Sequence, residues 1–237
     1  MEHQWATIFL FGIWNLWCFR NKRLFARPSP FNLRKTVDNQ VAEFFYCVLD
    51  HATGIKTKRV TVGWTKPQPL WAKLNTDGSA LGNPGIAGGG GIIRDCHGEW
   101  ISGFARSIGF TTSFAAEFWA LRDGLMLCLS LGINAVEVEV DASSVVSLLA
   151  NVAETNSEIA SLVDDCRNML KRIPQARLKH CYREGNKCAD RLARLGTDME
   201  ENFVIFDAPP TVVVSLLFLD KLGSTQERFC NEVVLTT

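Results

Sequence analysis

The sequence predicts an α/β domain with a mixed sheet, and two observations carry that prediction. Three short strand-like segments joined by tight turns occupy roughly residues 71–107, and strands with such short connections pair antiparallel. After residue 111, longer segments with apolar residues at helical spacing alternate with two more strand-like segments. The predicted order is βββαβααβα, with five strands in one sheet.

The first three strands are defined by alternation and by glycine. WAKLNTDG, residues 71–78, alternates as far as Asp77 and is predicted to end at Gly78. The following GNPGIAGGGG permits tight turns and close backbone approach, and leads into a second strand, GGGIIRD. A third strand is expected near 99–107, after the turn DCHGEW. A dinucleotide-binding loop is disfavoured because a strand, not a helix, follows the glycines and no Walker lysine is present.

A long core helix comes next. Thr111, Thr112 and Ser113 offer N-cap oxygens to FAAEFWALRDGLMLCLSLG, which Gly132 closes. The fourth strand, AVEVEVD, places three valines on one face and ends at Asp141.

The remaining elements alternate in the same way. Helices are predicted over about 142–151 and 156–173, the second stopping at Pro174. ARLKHCY reads as the fifth strand, and NKCADRLARLG as a last helix ending at Gly196.

The chain divides into three parts by composition. Residues 1–60 form a predicted N-terminal helical extension, 61–200 the α/β domain, and 201–237 an appended C-terminal segment. The apolar stretch from Trp5 to Phe19 is shorter than the roughly 20 residues that span a bilayer and contains Asn15. A buried or partner-binding helix is favoured over a membrane or targeting segment.

Charge and cysteine content restrict the class of protein. Lys plus Arg equals Asp plus Glu at 25 each, so a nucleic-acid partner requires basic residues gathered on one face. Neither a CxxC pair nor zinc-ligand spacing occurs among the eight cysteines. Reduced thiols in an intracellular protein are expected, with nucleus and cytoplasm both open.

Four acidic residues lie where the predicted elements could converge. Asp77 and Asp141 end the first and fourth strands, while Glu117 and Asp190 lie one turn into helices. If those strands are neighbours, the carboxylates meet beyond the strand ends. Packed carboxylates repel one another and are stabilised by hard divalent ions, so Mg²⁺ or Mn²⁺ is the expected ligand.

The segments that carry these acids resemble a known family. DGSALGNPGIAGGGGIIRD, TTSFAAEFWALRDGL, VEVEVDASSVV and HCYREGNKCADRLARLG are similar, in order, to the ribonuclease H domain. The similarity is greatest to plant ribonuclease-H-like proteins derived from non-LTR retrotransposons and covers about residues 64–223. The segment IWNLWCFRNKRLF looks like the trailing end of an upstream reverse transcriptase.

The resemblance implies an RNase H-like fold, with helices on both faces of the sheet, and a set of site residues. Asp77, Glu117, Asp141 and Asp190 match the metal-binding acids. Gly78, Ser79 and Asn83 match the loop that contacts ribose hydroxyls, Thr112 a DNA-phosphate contact, and Asn186 a further nucleic-acid contact. His180 matches a mobile histidine that helps protonate the leaving group or release product; some relatives use an arginine where Arg183 lies, and the choice stays open.

The implied activity is two-metal-ion, endonucleolytic hydrolysis of the RNA strand of an RNA–DNA hybrid, leaving 5′-phosphate and 3′-hydroxyl ends. Basic residues flanking the last acid could bind the nucleic acid: Arg183, Lys187, Arg191 and Arg194. Residues 151–175 lack the basic, tryptophan-rich loop of some relatives, so tight binding could require another domain or partner. The apolar N-terminal helix could dock a protein partner.

Simpler interpretations exist for three of the four acids, and Glu117 is harder to dismiss because its neighbours are core residues. Asp77 could cap a turn, Asp141 could N-cap the next helix, and Asp190 could pair with Arg191 or Arg194. Two other functions also remain open: a non-catalytic nucleic-acid-binding module domesticated from a retrotransposon, and a two-metal nuclease that acts on DNA. Ser79 and Asn83 favour RNA over DNA, and the intact acids favour catalysis.

Overall fold

A computed structural model describes residues 2–25, 33–48, 55–151 and 159–233. The chain forms two compact units, Met1–Thr53 and Gly54–Thr237, and each is described by itself. The first unit contains a pair of helices, and the second contains the sheet. Among the helices described, none has both the length and the apolarity to cross a membrane.

The N-terminal unit consists of α1 (Glu2–Phe25) and α2 (Leu33–Val48). The two helices pack together through a buried polar contact, in which Asn15 Nδ2 donates to Gln40 Oε1 at 2.5 Å. The apolar segment singled out in the sequence lies within α1, and Trp14 stacks on Trp17 with ring centroids 5.3 Å apart. Docking of this helix onto a protein partner stays a prediction.

The second unit is built on a six-stranded sheet. In sheet order its strands are β6 (Gln175–His180), β5 (Ala135–Val140), β2 (Ala72–Gly82), β3 (Gly85–Arg94), β4 (Trp100–Thr111) and β7 (Phe203–Phe206). The strands β2, β3 and β4 pair antiparallel as predicted. β5 and β6 then extend the sheet in parallel beside β2. The first and fourth predicted strands are therefore neighbours, which is the condition on which the convergence of the carboxylates depended.

The helices follow the predicted order. They are α3 (Ser113–Ser130), α4 (Ser143–Ala150), α5 (Ala160–Arg172) and α6 (Lys187–Asp198), with a 3₁₀ turn at Arg183–Gly185 before α6. The start predicted for α5, at about residue 156, lies outside the described residues.

Two details of the sheet prediction are wrong. The first strand of the domain does not end at Gly78: it continues to Gly82 because residues 78–82 pair with 85–89 of β3. The sheet has six strands instead of five because β7 (Phe203–Phe206) pairs antiparallel with β4. The glycine run therefore lies inside a strand, where a Cβ on Gly90 would come within 2.2 Å of the α6 backbone.

Helices cover both faces of the sheet. On one face, α3, α4 and α5 enclose the larger apolar core, which includes Leu74, Phe118 and Val138. On the other face, α6 packs on β2, β3 and β4, and Leu192 contacts a smaller core with Ile92 and Val213. The RNase H-like layering implied by the resemblance is confirmed.

The C-terminal segment packs against the domain. After β7, helix α7 (Thr211–Lys221) lies beside α6 and contributes Val213 to the smaller core. β8 (Gln226–Val233) then pairs antiparallel with β1 (Ile55–Val62), which precedes the domain in the chain. This two-stranded β1–β8 ribbon joins segments that lie on opposite sides of the domain in sequence.

Candidate active site

Two of the predicted acids meet where β2 and β5 stop pairing. The parallel ladder ends at the pair Thr76–Val140, so Asp77 and Asp141 are the next residues on adjacent strands. Their carboxylates lie close together, with one oxygen of each within 4.8 Å of the other, and Asp77 is 6% exposed. Asp141 does not cap α4, which begins at Ser143 with Ala142 as its N-cap and without a side-chain capping bond.

Glycine brings the third acid to this point. A Cβ on Gly78 would lie 2.2 Å from the backbone nitrogen of Glu117, so α3 can approach β2 this closely only because position 78 lacks a side chain. Glu117 Oε2 accepts a hydrogen bond from the Gly78 backbone N–H at 3.1 Å. Thr112 caps the same helix, its hydroxyl oxygen accepting from the Ala115 N–H at 3.2 Å.

The three carboxylates form a compact cluster. One oxygen from each of Asp77, Glu117 and Asp141 lies within 4.8 Å of the others. Burial, followed by the charges of Asp141 and Asp190, raises the pKa of Asp77 well above its ordinary value. Burial and the charges of Asp77 and Asp141 raise the pKa of Glu117 in the same way. The cluster is a concentrated negative charge that favours protons or cations.

Asp190 lies at the edge of this cluster. It is in the first turn of α6, its charge raises the pKa of Asp77, and its side chain is 42% exposed. Arg194 Nη2 donates to Asp190 Oδ1 at 3.0 Å, so the pairing considered from sequence does occur. An exposed i,i+4 pair of this kind is weak, about 0.3–0.5 kcal/mol, and does not prevent Asp190 from binding a cation.

His180 and Arg183 both contact Asp141. His180 Nε2 lies 3.1 Å from the Asp141 backbone oxygen, at the end of β6. Arg183 Nε lies 3.3 Å from Asp141 Oδ2, and the arginine side chain is 87% exposed. Arg183 also opposes the rise in the pKa of Asp77 and Glu117. Either residue can reach the cluster edge from solvent.

The predicted substrate-binding residues have different surroundings. Ser79 is partly buried on β2, directly after the cluster, and Asn83 is exposed at the β2–β3 turn. Asn83 Oδ1 accepts from the Ser113 backbone N–H at 3.1 Å, which joins this turn to the N-terminus of α3 beside Thr112. Asn186 is only 1% exposed, and its Nδ2 donates to the Thr76 backbone oxygen at 2.9 Å.

A buried charge network lies beside the cluster and was not expected from sequence. Lys73, 1% exposed, lies 2.5 Å from Glu139 Oε1 and 3.7 Å from Glu137 Oε2. Asn75 Nδ2 donates to Glu139 Oε2 at 3.1 Å. The alternation of AKLNTD and VEVEVD was the available signal, but alternating polar positions ordinarily indicate a solvent-facing side of a strand.

The network continues towards the C-terminal helix. Arg94 Nη2 donates to Asn75 Oδ1 at 2.8 Å and Arg94 Nη1 donates to Asp220 Oδ2 of α7 at 2.7 Å. Trp64 Nε1 also donates to Asn75 Oδ1, at 3.0 Å, and the Arg94 guanidinium lies 3.7 Å from the Trp64 ring centroid. Each of these buried charges therefore has a partner from the chain itself.

The cluster fits a hard divalent cation. Its donors are carboxylate oxygens, which Mg²⁺ and Mn²⁺ prefer, and burial together with mutual repulsion makes the cluster electrostatically favourable for a cation. Asp77, Glu117 and Asp141 supply the convergent oxygens, and Asp190 lies near enough for its charge to raise the pKa of Asp77.

Similar proteins share these segments. The reverse transcriptase-like family profile matches residues 75–196. The Arabidopsis thaliana protein named "Putative ribonuclease H protein At1g65750" is 36% identical over 228 residues, covering 94% of this chain and 37% of that protein. The chain thus spans little more than a third of that relative's length.

Solved structures agree on the fold. RNase H1 from Halobacterium salinarum NRC-1 is 26% identical with a TM-score of 0.52, covering 54% of this chain and 98% of that one. LC11-RNase H1, in complex with an RNA/DNA hybrid, is 28% identical with a TM-score of 0.50, covering 54% and 96%. The family profile covers residues 75–196, which include all four acids, and the chain therefore belongs to the reverse transcriptase-like family, with an RNase H-like domain.

Proposed function

We propose that this chain hydrolyses the RNA strand of RNA–DNA hybrids endonucleolytically and leaves 5′-phosphate and 3′-hydroxyl ends. The observation that carries the proposal is the cluster of Asp77, Glu117 and Asp141, whose ligand oxygens lie within 4.8 Å of one another. The similarity of the chain to RNase H structures, one of them bound to an RNA/DNA hybrid, supports this choice of substrate.

Four carboxylates would hold the catalytic ions in this proposal. Asp77, Glu117 and Asp141 form the convergent set, and Asp190 completes it from α6. Two Mg²⁺ ions, for which Mn²⁺ may be exchanged experimentally, would supply an activated water and stabilise the leaving 3′-oxygen. The protein contributes a rigid arrangement, because β2, β5 and α3 all fix their acids by backbone pairing or close packing.

His180 and Arg183 are proposed to serve the leaving group and the product. Both approach Asp141 from the exposed side of the cluster, at 3.1 and 3.3 Å. A histidine there can donate a proton near neutral pH, whereas an arginine remains charged and can only stabilise negative charge. Substituting each one separately would distinguish proton donation from charge stabilisation.

The substrate is proposed to lie across the β2–β3 turn and the N-terminus of α3. Gly78, Ser79 and Asn83 would contact ribose hydroxyls, which distinguish RNA from DNA. Thr112 would contact a DNA phosphate at the helix N-terminus. The Asn186 side-chain amide already donates to the Thr76 backbone oxygen. Asn186 would therefore contact the nucleic acid through its backbone or after its side chain has moved. Further phosphate contacts would come from Arg183, Lys187, Arg191 and Arg194.

Cleavage of a labelled RNA–DNA hybrid in Mg²⁺ or Mn²⁺ tests the proposal, beside double-stranded RNA and double-stranded DNA. Asp77→Asn removes a cluster charge without changing side-chain size, and Asp207→Asn is the matched control at an exposed position outside the site. We expect hybrid-specific cleavage that falls at least about 100-fold in Asp77→Asn and is unchanged in Asp207→Asn. A folded protein that binds hybrid without cutting it would instead support a binding module.

A further inference from the structure

The β1–β8 ribbon contacts the segment that follows β6. We refer to residues 181–186, between β6 and α6, as the β6–α6 loop; it includes Arg183 and directly follows His180. Arg228 of β8 donates from Nη1 to both carboxylate oxygens of Glu184 in this loop, at 3.1 and 3.0 Å. The Arg228 guanidinium also lies 5.0 Å from the Tyr182 ring centroid. One side chain thus holds both residues that flank Arg183.

Backbone packing brings the ribbon to the same loop. A Cβ on Gly185 would lie 3.1 Å from the Gly63 carbonyl oxygen, just after β1. A Cβ on Gly63 would in turn lie 2.6 Å from the Ser224 carbonyl oxygen, just before β8. The residue after β1 therefore packs closely against the β6–α6 loop and against the residues before β8. A side chain at Gly63 or Gly185 would disturb this packing.

The contacts continue from the loop to the carboxylate cluster. The Tyr182 ring packs edge-on against the His180 ring with centroids 5.5 Å apart. His180 Nε2 lies 3.1 Å from the Asp141 backbone oxygen, and Arg183 Nε lies 3.3 Å from Asp141 Oδ2. Arg228 reaches Asp141 in three contacts through Tyr182 and His180. It reaches Asp141 in two contacts through Glu184 and its chain neighbour Arg183.

We propose that Arg228 is a positioning residue, and that the β1–β8 ribbon holds the β6–α6 loop so that His180 and Arg183 face the carboxylate cluster. This inference rests on the proposed nuclease function for its catalytic consequence, but not for the contact itself. The ribbon lies outside the 75–196 segment matched by the family profile, so a domain trimmed to that segment would lack this support.

Arg59 provides a matched control on the same ribbon. It forms an ion pair with Glu227 of β8, and both side chains are well exposed. Arg59→Ala therefore removes an arginine and an ion pair from the ribbon without removing the contact between Arg228 and the β6–α6 loop. A general loss of ribbon stability would affect Arg59→Ala and Arg228→Ala alike, whereas loop positioning would affect only Arg228→Ala.

The first experiment measures the loop without using nuclease activity. Trypsin cleaves after arginine, and the Arg183 side chain is 87% exposed, so the cleavage rate of the 183–184 bond, followed by mass spectrometry in the full-length chain, reports how often the loop opens. We expect Arg228→Ala to increase that rate about fivefold and Arg59→Ala to leave it unchanged. Equal rates in wild type and Arg228→Ala would overturn the proposal.

The second experiment measures hybrid cleavage at saturating Mg²⁺. Loss of a supporting contact typically lowers activity about 10-fold or more, so we expect kcat of Arg228→Ala to fall about 10-fold with little change in KM. The charge-swapped pair Arg228→Glu with Glu184→Arg should restore most of kcat. Faster proteolysis with unchanged kcat, or an equal loss in Arg59→Ala, would refute positioning. An inactive wild type would instead refute the nuclease function, while proteolysis still tests the contact.

Discussion

Two groups of buried acids lie side by side on β2 and β5, and they differ in how the chain neutralises them. Glu137 and Glu139 face Lys73, a cation that is itself 1% exposed. Asp77 and Asp141, which follow the last pair of the β2–β5 ladder, face each other and Glu117. Their cation from the chain is the exposed Arg183. The fold therefore pairs Glu137 and Glu139 with a buried cation of its own, and in the proposed nuclease the other group would bind a cation from solution.

The largest expected effect comes from removing the internal cation. Lys73→Met keeps the side-chain length but leaves Glu139 without its cation, and leaves Glu137 with only the half-exposed Lys179. Breaking a buried pair in this way costs about 3–5 kcal/mol, which urea unfolding would measure. Lys221→Met is the control, because its pair with Glu99 is exposed and is worth about 0–1 kcal/mol. Similar losses in both variants would contradict the distinction between structural and exposed pairs.

A second substitution separates the acids without removing any of them. Gly78→Ala would place a Cβ 2.2 Å from the Glu117 backbone nitrogen, so α3 must move away from β2. We expect a stability loss of about 1–3 kcal/mol, together with weaker Mn²⁺ binding although every carboxylate is intact. Unchanged Mn²⁺ affinity would show that the close approach of α3 to β2 is not what assembles the cluster.

Neutralising one acid of the cluster should increase the stability of the protein, in contrast to the two substitutions above. In Asp77→Asn the repulsion with Glu117 and Asp141 is reduced, so the metal-free protein should become more stable at neutral pH, by about 1 kcal/mol. Thermal unfolding in EDTA measures this difference. Most substitutions of buried residues destabilise, so a rise in Tm would identify the cluster as strained by charge, and a fall would place Asp77 among the structural acids.

The pH dependence of stability sharpens the same contrast. Because the folded-state pKa values of Asp77 and Glu117 are raised, the folded chain holds protons that the unfolded chain has released, and stability falls as pH rises through the raised values. As pH rises above the ordinary pKa of a carboxylate, metal-free wild type should therefore lose more stability than Asp77→Asn. Parallel pH profiles for the two proteins would argue against raised pKa values.

Local sequence patterns were sufficient for much of the fold and for choosing Asp77, Glu117 and Asp141, which the structure brings together. Alternation and glycine punctuation defined the strands. The adjacency of the first and fourth strands of the domain was only a condition at that point, and the structure meets it. The close approach of Glu117 could not be read locally, because Gly78 matters through a helix that begins 35 residues later in the chain.

Other features depend on long-range pairing that no local pattern encodes. FVIF is four apolar or aromatic residues without alternation, and it becomes β7 only because the edge of β4 is available. β1 and β8 are each short, and their pairing joins residues as far apart as Ile55 and Val233. The burial of Glu137 and Glu139 likewise required knowledge of Lys73 on the neighbouring strand.

Calorimetric titration of Mn²⁺ into wild type and Asp77→Asn, with both proteins shown to be folded, tests most directly whether Asp77, Glu117 and Asp141 form a cation site. Wild type should bind Mn²⁺, and Asp77→Asn should lose most of that affinity because one of the convergent oxygens and a negative charge are gone. Equal binding by the two proteins, or none by wild type, would contradict the assignment of the cluster as a metal site.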